Sequence, residues 1–191
     1  MMIGHRVPAI HRGSPKPRRL LLLAGAVLVM GQLTASAAGA AGSQVGFGFN
    51  APDIAGFPTG EVALTGGGAF DPAAGTVHAG GSFSCVAQVD QVPLAGCLAG
   101  EGVRWDTESP LLSSTTFKCT GAAGEALKTQ TTTDQTVVLL SDFYRAGDGN
   151  EESFTAKMIV SAVDIAPDLP GVQDVWVQGV GCTDALVNLS S

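Results

Sequence analysis

The sequence predicts an all-β fold: a single antiparallel β-sandwich or β-barrel of about eight strands, disulfide-stabilised and preceded by a cleaved signal peptide. Three observations carry this prediction. Beyond residue 37 an apolar period of 3.6 never persists for more than about a turn, while short alternating runs rich in Val, Phe and Thr recur between Gly, Pro and Asp clusters. All four cysteines, Cys85, Cys97, Cys119 and Cys182, fall in this same part of the chain. The roughly 150 residues that follow the leader suffice for one domain around one core, with no room for a second.

Residues 1–37 read as a secretory signal peptide. Arg6, Arg12, Lys16, Arg18 and Arg19 stand there without an acidic residue, the apolar run Leu20–Met30 follows, and Ala35-Ser36-Ala37 and Ala38-Gly39-Ala40 offer small-residue cleavage sites near 37–41. The paired Arg18-Arg19 leaves the twin-arginine route open beside the general one. The apolar run is shorter than the roughly 20 residues a bilayer span needs, and no second run of that length follows. Residues 38–191 are therefore expected to be one secreted, extracellular domain with no integral membrane segment.

Losing the leader sharpens the charge. Five of the 10 basic residues leave with it and all 17 acidic ones stay, so residues 38–191 carry five bases against 17 acids, a formal charge of −12. Such a surface repels phosphate backbones and anionic headgroups, which argues against nucleic acid as a partner.

The expected strands are residues 43–49, 60–70, 76–88, 114–120, 126–133, 136–145, 153–163 and 173–188. In "LTGGGAFDPAAGTVHAGGSFSC" a loop at Pro72–Gly75 sets Asp71 opposite Thr76. Counting outward then pairs Phe70 with Val77, Gly68 with Ala79, Gly66 with Gly81, Leu64 with Phe83 and Val62 with Cys85, which puts every large apolar residue on one face. That face carries a bare strip, Gly66, Gly68, Ala79 and Gly81. A bulky side chain has to lie over it, the strands have to bend, or a cavity remains. Trp105 and Trp176 are the expected fillers, and the six residues together form the candidate ligand strip. In "DFYRAGDGNEESF" the Asp148-Gly149 turn signal predicts a second hairpin, pairing Phe143 with Phe154, Leu139 with Met158, Val137 with Val160 and Arg145 with Glu152.

In an exported chain four cysteines without paired short spacings indicate disulfides and not zinc ligands. Of the three possible connectivities, Cys85–Cys97 and Cys119–Cys182 are favoured.

The catalytic inventory is poor. His78 is the one histidine after the leader and is expected on the outer face; no G-x-S-x-G elbow or spare thiol accompanies it. The Gly runs lack the Lys-Ser/Thr ending of a phosphate loop. The acids Asp148, Glu151 and Glu152, with Asn150, depart from calcium-loop spacing. No cofactor or metal is therefore expected. Asp106 and Glu108 beside Trp105 are the least arbitrary carboxylate pair for glycoside hydrolysis.

The runs "GGGAFDPAAGTVHAGGSFSC", "GVRWDTESPLLSSTTFKC", "DFYRAGDGNEESF" and "GVQDVWVQGVGC" resemble small uncharacterised exported proteins of actinobacteria. The resemblance spans nearly the whole mature chain and implies export without an assigned activity. The leading expectation is thus a secreted β-domain that binds an unknown ligand or a cell-envelope component. A barrel that carries a small apolar ligand and a secreted carboxylate-dependent hydrolase are the alternatives.

Overall fold

The structure, a computed structural model, describes residues 44–56, 59–108, 110–144 and 152–190. The predicted leader, Arg145 and the Asp148-Gly149 turn lie outside the described residues.

The described residues form strands and no helix: β1 (Val45–Gly56), β2 (Glu61–Asp71), β3 (Thr76–Ala87), β4 (Arg104–Glu108), β5 (Ser114–Phe117), β6 (Lys128–Thr131), β7 (Thr136–Tyr144), β8 (Glu152–Ser161), β9 (Val175–Val177), β10 (Gly181–Thr183) and β11 (Leu186–Ser190). Nine of them make one antiparallel sheet in the order β10-β9-β8-β7-β4-β3-β2-β1-β11. β10 also returns to β1 through Ala55↔Cys182 and Gly56↔Gly181, closing eight strands into a barrel-like ring that leaves few free edges. β5 and β6 form a separate ribbon.

Period-two alternation decides what fills the ring. In β1, Val45, Phe47, Phe49 and Ala51 are buried, with Gly46, Gly48 and Asn50 between them on the other face. The pairing with β2 then slips between Ala51 and Ile54. This bulge absorbs Pro52, which cannot donate to a ladder, and returns Ile54 to the buried face. The bulge also falls where β1 changes partner from β11 to β10.

The β2–β3 hairpin has the expected register from Asp71↔Thr76 to Val62↔Cys85. Its turn is held by Asp71, whose Oδ1 accepts the amides of Ala73 and Ala74 at 2.9 Å each, and whose carbonyl accepts from Gly75 at 2.9 Å. Gly75 takes φ +66°, which a side chain would resist.

Across β7 and β8, Val137↔Val160, Leu139↔Met158 and Phe143↔Phe154 pair as expected. The register then shifts, so that Glu152 faces Tyr144 and not Arg145. A bulge past Phe143 displaces the anticipated pair by one residue. Phe83 packs against this phenylalanine pair in the core, Phe83 and Phe143 with ring centroids 4.9 Å apart and Phe143 and Phe154 5.9 Å apart.

Two further expectations need correction. β4 was not among the anticipated strands, yet it bridges the two hairpins through Gly81↔Trp105 and Trp105↔Phe143. The single strand expected over 173–188 is three, because Gly179 and Gly181 both take positive φ and reverse the chain between β9 and β10. Both favoured disulfides form, Cys85–Cys97 across 12 residues and Cys119–Cys182 across 63, and such bonds mark an oxidising environment.

Candidate functional site

On its inner side the bare strip is packed, while the outer side of the same strands borders a shallow depression of about 410 Å³ lined by Gly68, Ala79, Gly81 and Trp105 with His78 and Asp106. Reading across the wall, Phe49 pairs with Gly66, Gly66 with Gly81, and Gly81 with Trp105: two large side chains flank two glycines. Phe49 and Trp105 lean over the gap with centroids 5.8 Å apart. A methyl on Gly66 would stand 2.6 Å from Cζ2 of Trp105, and one on Gly81 would strike the Thr65 carbonyl. Gly68 sits as tightly, 2.7 Å from the Ala79 methyl if given a Cβ. The small residues thus admit a close approach of strands and the body of one indole.

Trp176 is not the second filler. In β9 the sequence Val175-Trp176-Val177 turns both valines into the core and the tryptophan outward. There it joins Phe117, Val138, Ile159, Ile165 and Cys182 in a second apolar cluster on the outer wall, under the β5–β6 ribbon. Its Nε1 donates to the Lys118 carbonyl at 2.9 Å, and its ring lies 5.6 Å from that of Phe117.

Beside this cluster the outer wall opens into a groove of about 430 Å³, within the usual range for small-molecule sites. Its floor is Trp176, Lys157, Gln178 and Gly179. One side is the loop carrying Gln91 and Val92, which lies inside the Cys85–Cys97 disulfide. The other is the ribbon, with Thr116, Phe117, Lys118 and Leu127. Lys118 directly precedes Cys119, which the second disulfide fastens to β10. Both disulfides therefore brace the groove's sides. Gly179, at φ +83°, lets the loop come close, since a Cβ there would lie 2.6 Å from the Val92 carbonyl oxygen.

The ribbon side is fixed by a buried carboxylate. Glu125, 3% exposed in its side chain, accepts the amides of Cys119 at 2.7 Å, Thr120 at 2.9 Å and Gly121 at 2.9 Å, and the Thr120 hydroxyl at 2.8 Å. Lys128 reaches it at 3.2 Å and reaches Asp168 at 3.1 Å, tying ribbon to loop. Burial pushes the Glu125 carboxyl upward, but its hydrogen bonds outweigh that and hold it at about 2.

The carboxylate pair fares differently. Alternation along β4 buries Trp105 and turns Asp106 to the outer face, so that the indole and the carboxylate are back to back. Asp106 is occupied by Arg104 at 2.7 Å and by the Tyr144 hydroxyl at 3.2 Å. Glu108 pairs in register with His78. His78 is exposed opposite Ala69, as expected. Trp105 does not provide a platform beside Asp106. No cluster of His, Cys, Asp and Glu among the described residues is arranged to hold a metal ion.

No family model, no curated protein and no solved structure matches this chain.

Proposed function

We propose that the protein is a secreted binding module, not an enzyme, and that it takes its ligand on the outer wall of the barrel in the groove over Trp176. The observation that carries this reading is the groove over Trp176, whose two sides are each braced by a disulfide. A leader of signal-peptide form and the oxidised cysteines support export to the cell exterior or envelope. The resemblance to exported actinobacterial proteins is consistent with this destination.

The test is a fragment screen by two-dimensional NMR on residues 38–191 with both disulfides intact. Hits are expected to move the amides of residues 91–92, 116–118 and 176–179 together. A screen in which no fragment moves these amides would remove the binding reading. Export is checked separately by fractionating cells that express the full chain: released protein beginning at residues 38–41 is the expected product, and intact chain retained inside is the contrary one.

A further inference from the structure

We infer that the groove over Trp176 binds a single-headed amphiphilic anion, a carboxylate on a medium-length apolar tail; this rests on the binding reading above and names its ligand class.

Positive charge is scarce in this chain. The chain beyond the leader has five basic residues against 17 acids, so nearly any base is expected to find an acidic partner. Arg104 has Asp106, and Lys128 has Glu125 and Asp168. Arg145 lies outside the described residues. Lys118 and Lys157 remain. Both are half-buried, neither forms an ion pair with any described residue, and both line the same groove. The groove's lining contains no Asp or Glu. Two lysines without an acidic partner along one groove give it a positive potential that an incoming anion would relieve.

The rest of the lining selects what the anion is attached to. Trp176 and Phe117 are almost wholly buried and form an apolar floor, and at the rim Val92 is 77% and Leu127 65% exposed, leaving apolar area for a tail to cover. Gln91 and Gln178 add amides that can donate to carboxylate oxygens. The overall charge restricts the head. A polyanion would meet the field of a strongly acidic surface, whereas a single carboxylate in a groove lined by two lysines and no acid meets mainly those lysines.

The experiment is isothermal titration of the disulfide-intact domain at neutral pH with decanoate, decanol and decyltrimethylammonium, three probes with one tail and different heads. Saturable decanoate binding is expected, at least tenfold tighter than decanol, with the cation not binding. K118Q/K157Q should bring decanoate down to the decanol level, K118R/K157R should restore it, and near-UV circular dichroism reports whether each variant keeps its fold. K157Q alone, which removes one charge, is expected to give an intermediate loss. Decanol binding as tightly as decanoate, or a K118Q/K157Q protein that keeps its preference for decanoate, would overturn the inference. If decanoate does not bind while other fragments still move the groove amides, the ligand class falls and the binding module stands. If neither binds, both fall.

Discussion

The indole Nε1 of Trp105 donates a hydrogen bond to the Thr65 carbonyl at 3.1 Å, which holds the ring over Gly66, whose missing side chain makes the room it occupies. Strip and tryptophan are one packing unit. Gly66→Ala overpacks it and is expected to cost about 1–3 kcal/mol; Trp105→Ala leaves a cavity and should cost about 3–5 kcal/mol. Because the new methyl collides with the ring, G66A/W105A is expected to lose at least about 0.5 kcal/mol less than the two single losses combined. Urea unfolding of the four proteins measures this cycle. Strict additivity would mean that ring and glycine are not coupled.

The Glu125 carboxylate predicts an acid limb in stability. Its folded pKa of about 2 lies below the ordinary 4.5, so its contribution is present above about pH 4.5 and disappears as pH falls through about 2. The shift corresponds to on the order of 3 kcal/mol. Glu125→Gln should therefore lower the melting temperature at pH 7, with the gap to the native protein closing towards pH 2. A gap that stays constant with pH would assign the loss to shape and not to charge.

Asp174 predicts the opposite sign. Burial raises its pKa above the ordinary 3.8; the Ala185 amide opposes this, while the Asp184 and Asp164 carboxylates add to it. The protonated form is favoured by folding, so the contribution is fully present below about pH 3.8 and is lost as pH rises through the folded value. Asp174→Asn supplies a permanent donor towards Asp184. The variant should gain stability relative to the native protein as pH rises from 3 to 7, which paired thermal melts will read. A relative loss over that interval contradicts the assignment.

The disulfides are separable. Chain-entropy reasoning gives about 4 kcal/mol for Cys119–Cys182, closing the longer loop, and about 3 kcal/mol for Cys85–Cys97. Replacing Cys85 and Cys97 by Ser should release the loop carrying Gln91 and Val92, abolishing fragment perturbation at residues 91–92 while the β2–β3 amides keep their hydrogen-exchange protection. Retained perturbation there would show that the loop holds itself.

What was legible in the sequence follows from where the physics is local. The β2–β3 register could be counted because a Pro-Gly loop fixes the turn and a one-residue slip scatters the apolar set between faces. β4 was obscured because Arg104, Asp106 and Glu108 alternate with Trp105 and Thr107 over only five residues, a short run with charges on its outer face. Trp176 is expected over the strip for its bulk, and Val-Trp-Val, apolar throughout, has no alternation to say otherwise; only the pairing of β9 with β8 and β10 shows which residue turns out. The groove had no local signal. Its residues come from separate segments of the chain, brought together by two disulfides and a ribbon laid over the wall. An unpaired lysine cannot be recognised before its neighbours are known.

The central claim is that ligand meets Trp176 on the outer wall and not Trp105 within the ring. The chain has two tryptophans, so 5-fluorotryptophan labelling gives one ¹⁹F resonance for each place, assigned with Trp176→Phe. On titration with decanoate the Trp176 resonance is expected to shift and saturate while that of Trp105 stays fixed. A shift of the Trp105 resonance with Trp176 unmoved would place the ligand inside the barrel and contradict the claim.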